Sequence, residues 1–220
     1  GGMLLRKPPK VEVPASVEPL LETITNDFQP LEVIVNNVVE EALKTGRVGL
    51  LVDYPNVDTS KLTKADAALL NLRPTLALYK AATIINWKED CVNNNRFLSM
   101  VVLVEDYEKY VDEFTSLCED RYRVLDLIGG KYRQRIFRIK DDGTQEQVGE
   151  DVFPTMNGNT MDAIPFYIIG PDDTRIEPDE PPLIDLVDVN LAHYRVSADY
   201  EHGCHFTGLP TGWITGHTVN

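Results

Sequence analysis

Three histidines and one cysteine near the end of the chain have side chains of the types that bind zinc. They are His193, His202, Cys204 and His205. Structural zinc sites are usually marked by paired ligands at short, fixed spacing, and no Cys-x-x-Cys or His-x-x-x-His pair accompanies these four residues. We expect His202 and His205 to straddle the end of a helix. The sequence therefore predicts no metal site, and capping or packing roles for the histidines.

The sequence patterns of nucleophilic and phosphate-binding sites are missing. None of the five serines lies in a Gly-x-Ser-x-Gly sequence. The pair Gly129-Gly130 lacks the upstream glycine and the following Ser or Thr of a phosphate-binding loop. Adjacent acids such as Asp172 and Asp173 are frequent in so acidic a chain, and no pair stands in an apolar setting that would suit an acid catalyst. We predict no catalytic residue, no cofactor-binding residue and no cofactor, and a protein that is not an enzyme.

The composition is that of an ordinary globular protein with an acidic surface. Of the 220 residues, 43% are hydrophobic and 25% are charged, which excludes a disordered or collagen-like chain. The chain is long enough to bury a real core. A formal net charge of −14 at pH 7 repels phosphate backbones, and it argues against tight, sequence-specific binding of DNA.

The charge is unevenly distributed along the chain. Residues 141–201 hold fifteen acids against Arg175 and Arg195, whereas residues 121–140 hold seven basic residues against Asp126. In one interpretation the basic block and the acidic block partly neutralise each other within the chain. In the other, the basic hairpin of one subunit meets the acidic segment of the next in a ring. The sequence does not decide between them.

Cysteine usage and the chain ends bear on the compartment. Cys91, Cys118 and Cys204 are odd in number and widely spaced, so we expect free thiols in a reducing compartment. The N-terminus lacks the apolar core of a secretory signal, and no apolar run approaches the roughly 20 residues that span a bilayer. We expect a soluble protein made in a cytoplasm, with no membrane partner. Both ends look cut, which suggests an excised piece, although a processed mature chain would look similar.

Apolar spacing outlines the first half of the fold. Two helices are predicted between Val17 and Lys44, the second ended by Gly46. The sequence RVGLLVDYP is typical of a buried strand, and a short helix is predicted for residues Thr63–Leu72. Further strands are expected over Pro74–Trp87 and over the run FLSMVVLVED, the latter buried on both faces.

Glycine turns and one long helix outline the second half. Gly129-Gly130 predicts a tight hairpin, because glycine accepts positive φ at both central positions. A second turn at Asp142-Gly143 extends it to a β-meander, and AIPFYIIG is one more short strand. The last helix is predicted from Pro181 to Glu201, with Gly203 as its terminator. One face of this helix carries Leu183, Ile184, Val187, Leu191, Tyr194 and Ala198.

This order of elements lacks regular βαβ alternation and predicts an α+β fold. We expect helices packed on a mixed or antiparallel sheet, with a β-meander and a long C-terminal helix. The predicted organisation is an N-terminal arm over residues 1–16, an α+β domain over 17–201, and a C-terminal arm over 202–220 that leads to further domains.

Four segments of the sequence resemble a family of tailed-phage and prophage proteins of the portal type. They are LLRKPPKVEVP, EEALKTGRVGLLVDYP, RPTLALYKAATIINWK and, most specifically, NLAHYRVSADYEHGCHFTGLPTGWITG. The segments keep their order over nearly the whole chain. The resemblance is to the outer wing region of a portal, without the clip, stem and tunnel elements.

The resemblance implies a non-catalytic structural role. A portal is a ring, usually a dodecamer, at one capsid vertex; it nucleates head assembly, docks the terminase and holds the head-to-tail connector. Its implied partners are further copies of itself, terminase, scaffold or capsid proteins and head-tail adaptors. Double-stranded DNA passes through its channel without sequence-specific binding. The implied location is the virion, and the bacterial host cytoplasm during assembly.

Two alternatives remain open at this point. The first is a cytoplasmic metal-dependent hydrolase or metal-binding domain that uses His193, His202, Cys204 and His205 with nearby acids. The second is a general phage adaptor or scaffold-binding module, which only its partner would distinguish from a portal.

Overall fold

A computed structural model describes residues 7, 9–55, 70, 72–140, 142–156, 158–208, 212 and 215–216. The chain divides into two compact units, Gly1–Pro181 and Pro182–Asn220. Across the described part of the chain, no helix combines the length and apolar character needed to cross a membrane. The helix predicted for Thr63–Leu72 falls largely outside the described residues.

The first unit contains two main antiparallel sheets, which confirms the α+β prediction. The three-stranded sheet has the order β10-β1-β2 and consists of β1 (Val48–Asp53), β2 (Thr75–Lys80) and β10 (Phe166–Ile169). The five-stranded sheet runs in chain order through β3 (Ile84–Val92), β4 (Asn95–Tyr110), β5 (Ser116–Ile128), β6 (Lys131–Ile139) and β7 (Gln145–Gln147). A small hairpin pairs β8 (Thr155–Met156) with β9 (Asn159–Thr160).

The meander forms where glycine turns predicted it. Gly129 and Gly130 both have positive φ, 57° and 75°, and they join β5 to β6 in a two-residue turn with Ile128 opposite Lys131. This is the primed turn geometry that matches the twist of the flanking strands. Gly143, with φ of 80°, lies in the turn that leads into β7.

Helix α1 (Leu31–Thr45) confirms one of the two predicted N-terminal helices. It ends at Gly46, which adopts the left-handed conformation with φ of 78°, and it packs near β1 and β2. The other predicted helix is only a 3₁₀ turn over Glu18–Glu22. So short a segment gains too few hydrogen bonds to offset helix nucleation.

Two strand predictions were wrong in detail. The stretch Pro74–Trp87 is not one strand: a 3₁₀ turn at Ala81–Thr83 splits it between β2 and β3, which belong to different sheets. Strand β4 is not buried on both faces, because Val101 and Leu103 are buried while the alternate residues are half-exposed. Burial of one face is the expected pattern of an antiparallel sheet over a single core.

The core draws on both sheets. A single buried cluster includes Leu51 of β1, Phe166 of β10, Leu103 of β4 and Leu125 of β5. The two sheets therefore share one hydrophobic core.

Helix α2 (Ile184–Gly208) forms most of the described part of the second unit. It is longer than predicted: it passes through Gly203 and reaches into the segment 202–220 that was expected to be an arm. Glycine inside a helix costs only about 1 kcal/mol relative to alanine, which does not end a helix whose neighbours favour it. The Thr207 hydroxyl donates to the Gly203 carbonyl over 3.0 Å within this last stretch.

Candidate assembly surfaces

The structure does not bring the four candidate zinc ligands together. His193, His202, Cys204 and His205 all lie on α2, and all four are exposed. His202 and His205 lie inside the helix rather than at its end, and His202 stacks edge-on against Phe206 with ring centroids 4.6 Å apart. Cys204 is two residues from His202, a rotation of about 200° around the helix. Among the described residues, no group of three His, Cys, Asp or Glu side chains could hold a metal ion.

Cys91, Cys118 and Cys204 are free, as predicted from their number and spacing, and all three are exposed.

A partly buried ionic network around Arg123 joins the two sheets. The Arg123 Nη1 atom lies 2.8 Å from Asp53 Oδ2. Its Nε atom lies 2.8 Å from Glu105 Oε1, without the geometry of a hydrogen bond. Tyr79 donates its hydroxyl to the same Glu105. These residues come from β1, β2, β4 and β5, so the network links strands of both sheets.

Two tyrosines of this region are fixed as hydrogen-bond donors or acceptors in their neutral form. Burial raises the pKa of Tyr79 far above its ordinary value, and Glu105 adds to the rise. Burial also raises the pKa of Tyr132, whose hydroxyl accepts a hydrogen bond from Gln134 Nε2 over 2.6 Å. Both hydroxyls therefore stay protonated well above neutral pH, and the two tyrosines act as neutral hydrogen-bonding groups.

The basic block of residues 121–140 is neutralised largely within the chain. Five of its seven basic side chains form ion pairs with acids of the first unit. They are Arg123, Arg133, Arg135, Arg138 and Lys140. Their partners include Glu146 and Asp151, which lie at the start of the acidic segment. A sixth, Arg121, stacks on Tyr107 with its guanidinium carbon 3.1 Å from the ring centroid. Three of the seven, Arg133, Arg138 and Lys140, pair with acids of the segment 141–201, which supports the intramolecular interpretation of the charge blocks in part.

Strands β4 and β5 extend beyond their neighbours as a two-stranded ribbon, residues 104–120. Pairing with β3 ends at Leu103 and pairing with β6 ends at Arg121. Near the ribbon's tip, Phe114 is 95% exposed, and Tyr110 is also well exposed. These two side chains do not pack against the sheet, because the ribbon extends past the strands that could cover them. The ribbon carries seven acids and one base, Lys109.

Helix α2 presents apolar side chains on two sides. The first side, stripe 1, was predicted from the sequence and consists here of Ile184, Val187, Leu191, Tyr194 and Ala198. The second side, stripe 2, consists of the apolar residues Leu186, Val189, Val196 and Tyr200 with the polar His193 at its centre. None of the residues of α2 is buried. The sequence analysis missed stripe 2, although its spacing of three and four residues was available as a signal.

A groove of about 490 Å³ lies beside β10 in the first unit. Its lining combines apolar side chains, such as Phe97 and Ile176, with charged ones of both signs, such as Arg96 and Glu177. Among the residues that the structure describes, the lining includes no histidine, cysteine or serine.

Comparison with known proteins places a match on α2. Residues 182–220 match the model of a family described as a domain of unknown function, DUF4055. The match covers less than a fifth of the chain and coincides with the compact unit Pro182–Asn220. No curated protein matches the chain. The segment that carries both stripes is therefore similar to one found in other proteins, whose description states no activity.

Proposed function

We propose that the protein is a structural, non-catalytic component of a tailed-phage portal, the ring at one capsid vertex through which DNA is packaged and ejected. The observation that carries this proposal is the exposure of apolar side chains along both sides of α2. Large exposed apolar surfaces on a soluble chain are typical of protein interaction sites. A ring subunit needs such surfaces, because it contacts a neighbour on each side.

Three further observations support the proposal. The acidic ribbon with its apolar tip, residues 104–120, supplies another exposed surface that suits a partner other than a neighbouring copy. The net charge of −14 agrees with an outer part of the ring that does not bind DNA tightly, since an acidic surface repels phosphate backbones. The resemblance of four sequence segments to portal-type proteins agrees with both of these observations.

The proposed partners follow from this role. They are further copies of the chain in a ring, a dodecamer by analogy with the family, together with terminase, scaffold or capsid proteins and a head-tail adaptor. The proposed location is the virion, and the host cytoplasm during assembly.

Electron microscopy of the full-length protein tests the proposal. We expect rings with a central hole, and metal analysis of the same sample should find no stoichiometric zinc. Compact monomers under assembly conditions would contradict the ring. One zinc ion per chain would favour the metal-dependent alternative instead.

A further inference from the structure

The two stripes of α2 are the same pattern displaced by two residues. Stripe 1 advances by three, four, three and four residues from Ile184 to Ala198, and stripe 2 does the same from Leu186 to Tyr200. This is the spacing of a coiled-coil seam. Two residues turn a helix by about 200°, so the seams lie on nearly opposite sides. Each seam is about 21 Å long, at 1.5 Å per residue.

Polar residues separate the two seams on both sides. One gap between the seams contains Asp188, Arg195 and Asp199. The other gap contains Asn190, Ser197 and Glu201. A helix that buried only one face would carry a single stripe and a broad polar face. The pattern of α2 instead fits a helix that is covered on two sides by two separate partners.

The seams complement each other when two copies of α2 lie parallel and level. In such a pair, residues two positions apart meet: Tyr194 of one copy faces Val196 of the next, and Ala198 faces Tyr200. These two of the five layers combine a large side chain with a small one, which is how apolar layers interdigitate.

Charge complementarity also favours a second copy as the occupant. In the same parallel arrangement, Arg195 beside stripe 1 of one copy lies on the same side of the contact as Asp199 beside stripe 2 of the next copy. The two positions differ by four residues, about 6 Å along the axis. Among the residues that the structure describes, Arg195 is in none of the ion pairs.

We infer that α2 is the contact between neighbouring copies of the chain, with stripe 1 of each copy packed against stripe 2 of the next. The inference rests on the proposed function, because it names the surface through which the ring would close. The contact uses two unlike surfaces, so it is head-to-tail and can continue around a ring rather than stop at a two-fold dimer.

Two variants of the full-length protein test this arrangement. Leu191→Glu places a charge in stripe 1, and Val196→Glu places one in stripe 2. The two wild-type side chains are 47% and 67% exposed, so neither change should disturb the fold of the chain itself. Asn190→Glu, in the polar gap between the stripes, is the matched control. Circular dichroism checks that all three retain their helix content.

Sedimentation velocity then gives the assembly state. We expect wild type and Asn190→Glu to assemble, and each stripe variant alone to associate about tenfold to hundredfold more weakly. An equimolar mixture should give dimers of one copy of each variant and nothing larger. In that dimer, the intact stripe 1 of Val196→Glu meets the intact stripe 2 of Leu191→Glu.

The other outcomes overturn the inference, and they separate it from the proposed function. If either variant alone forms rings or two-fold dimers, or if the mixture stays monomeric, the stripe 1 to stripe 2 contact is wrong. If each variant alone still forms rings, the portal proposal remains supported although the contact is wrong. Open chains of wild type together with mixed dimers of the variants would uphold the contact and contradict the portal. A wild-type protein that stays monomeric would overturn both.

Discussion

Asp126 lies between two arginines of the neighbouring strand. Arg133 binds both of its carboxylate oxygens, with Nε at 2.9 Å and Nη2 at 2.8 Å, and Arg135 Nη2 lies 2.6 Å from the second oxygen. The Asp126 side chain is only 15% exposed. Burial acts to raise the pKa of this carboxyl, but the hydrogen bond from Arg133 and the charge of Arg135 outweigh it, and the pKa lies below its ordinary value of 3.8.

Replacing Asp126 with Asn should therefore destabilise the protein in a pH-dependent way. At pH 7 we expect a loss of about 1–3 kcal/mol in the free energy of unfolding, because the substitution removes the carboxylate charge with which both guanidinium groups pair. A carboxyl whose pKa is lower in the folded state stabilises the fold above its unfolded pKa and stops doing so in acid. The difference between wild type and variant should shrink as the pH falls below 3.8.

Urea denaturation at neutral and acidic pH measures this difference. Asp106→Asn is the matched control, because Asp106 is exposed and lies opposite Asp120 in the ribbon. It should change stability by less than about 0.5 kcal/mol. An Asp126→Asn variant with the same loss at both pH values would show that the loss comes from packing and not from charge.

At the scale of elements, Gly46 ends α1 in a position that no other residue fits. Its φ is 78°, and a Cβ atom there would lie 2.0 Å from the carbonyl oxygen of Asp179. The Gly46 carbonyl also accepts a hydrogen bond from the Asp179 amide over 3.2 Å. The end of the helix is therefore held against the segment before Pro181.

We expect Gly46→Ala to lower the free energy of unfolding clearly more than Gly143→Ala does. Both glycines have φ near 80°, so both variants bear the strain of a left-handed alanine, roughly 1–2 kcal/mol. Around Gly143 there is nothing within 4 Å of the added Cβ, whereas Gly46→Ala must also displace Asp179. Thermal unfolding of the two variants compares them directly, and equal losses would mean that the approach of Asp179 contributes nothing.

Elements set by local chemistry were the ones that the sequence could predict. The Gly129-Gly130 turn and the end of α1 at Gly46 depend on φ values that a single residue type permits. The division of Pro74–Trp87 between two sheets was not predictable, because it depends on which distant strand each half pairs with. The prediction that the last helix ends at Gly203 was wrong for the opposite reason. Glycine is a local signal for a helix end, but the neighbouring residues continue the helix to Gly208.

The residues of the candidate surfaces were likewise predictable only where a local spacing in the sequence marks them. Stripe 1 was found from its spacing, and stripe 2 could have been found by testing the same spacing at other starting residues. The network around Arg123 could not have been found, because Asp53, Tyr79 and Glu105 lie on separate strands and share no pattern in the sequence.

The proposed contact between Arg195 of one copy and Asp199 of the next can be tested by exchanging charges. Arg195→Glu and Asp199→Arg should each weaken association, by up to about fivefold per contact, since exposed ion pairs contribute little. The double variant should recover most of the wild-type affinity, because the pair is restored with its signs exchanged. Analytical ultracentrifugation gives the three association constants.

The control for this exchange is Lys131→Glu, which makes the same change of charge at the exposed turn between β5 and β6. It should weaken association only through the added net charge. Single variants that weaken association without recovery in the double variant would place Arg195 outside the contact.

At the scale of the whole molecule, the net charge opposes the apolar contacts. Each copy carries −14 at pH 7, so copies that approach side by side repel one another. The basic hairpin does little to relieve this, since five of its seven basic residues are already paired with acids of their own chain. Association through α2 must therefore draw on apolar burial against a repulsive background.

Salt should consequently strengthen the assembly. Raising the ionic strength from about 0.01 M to about 0.15 M shortens the range of charge interactions from about 30 Å to about 8 Å, which weakens the repulsion between copies and leaves apolar burial nearly unchanged. We expect the association constant, measured by sedimentation equilibrium, to rise over this range for wild type and for Lys131→Glu. A fall would mean that opposite charges dominate the contact, as they would if the basic hairpin of one copy met the acidic segment of the next. The direction of the salt dependence therefore decides between an apolar helical contact and an ionic one, because the two respond to screening with opposite signs.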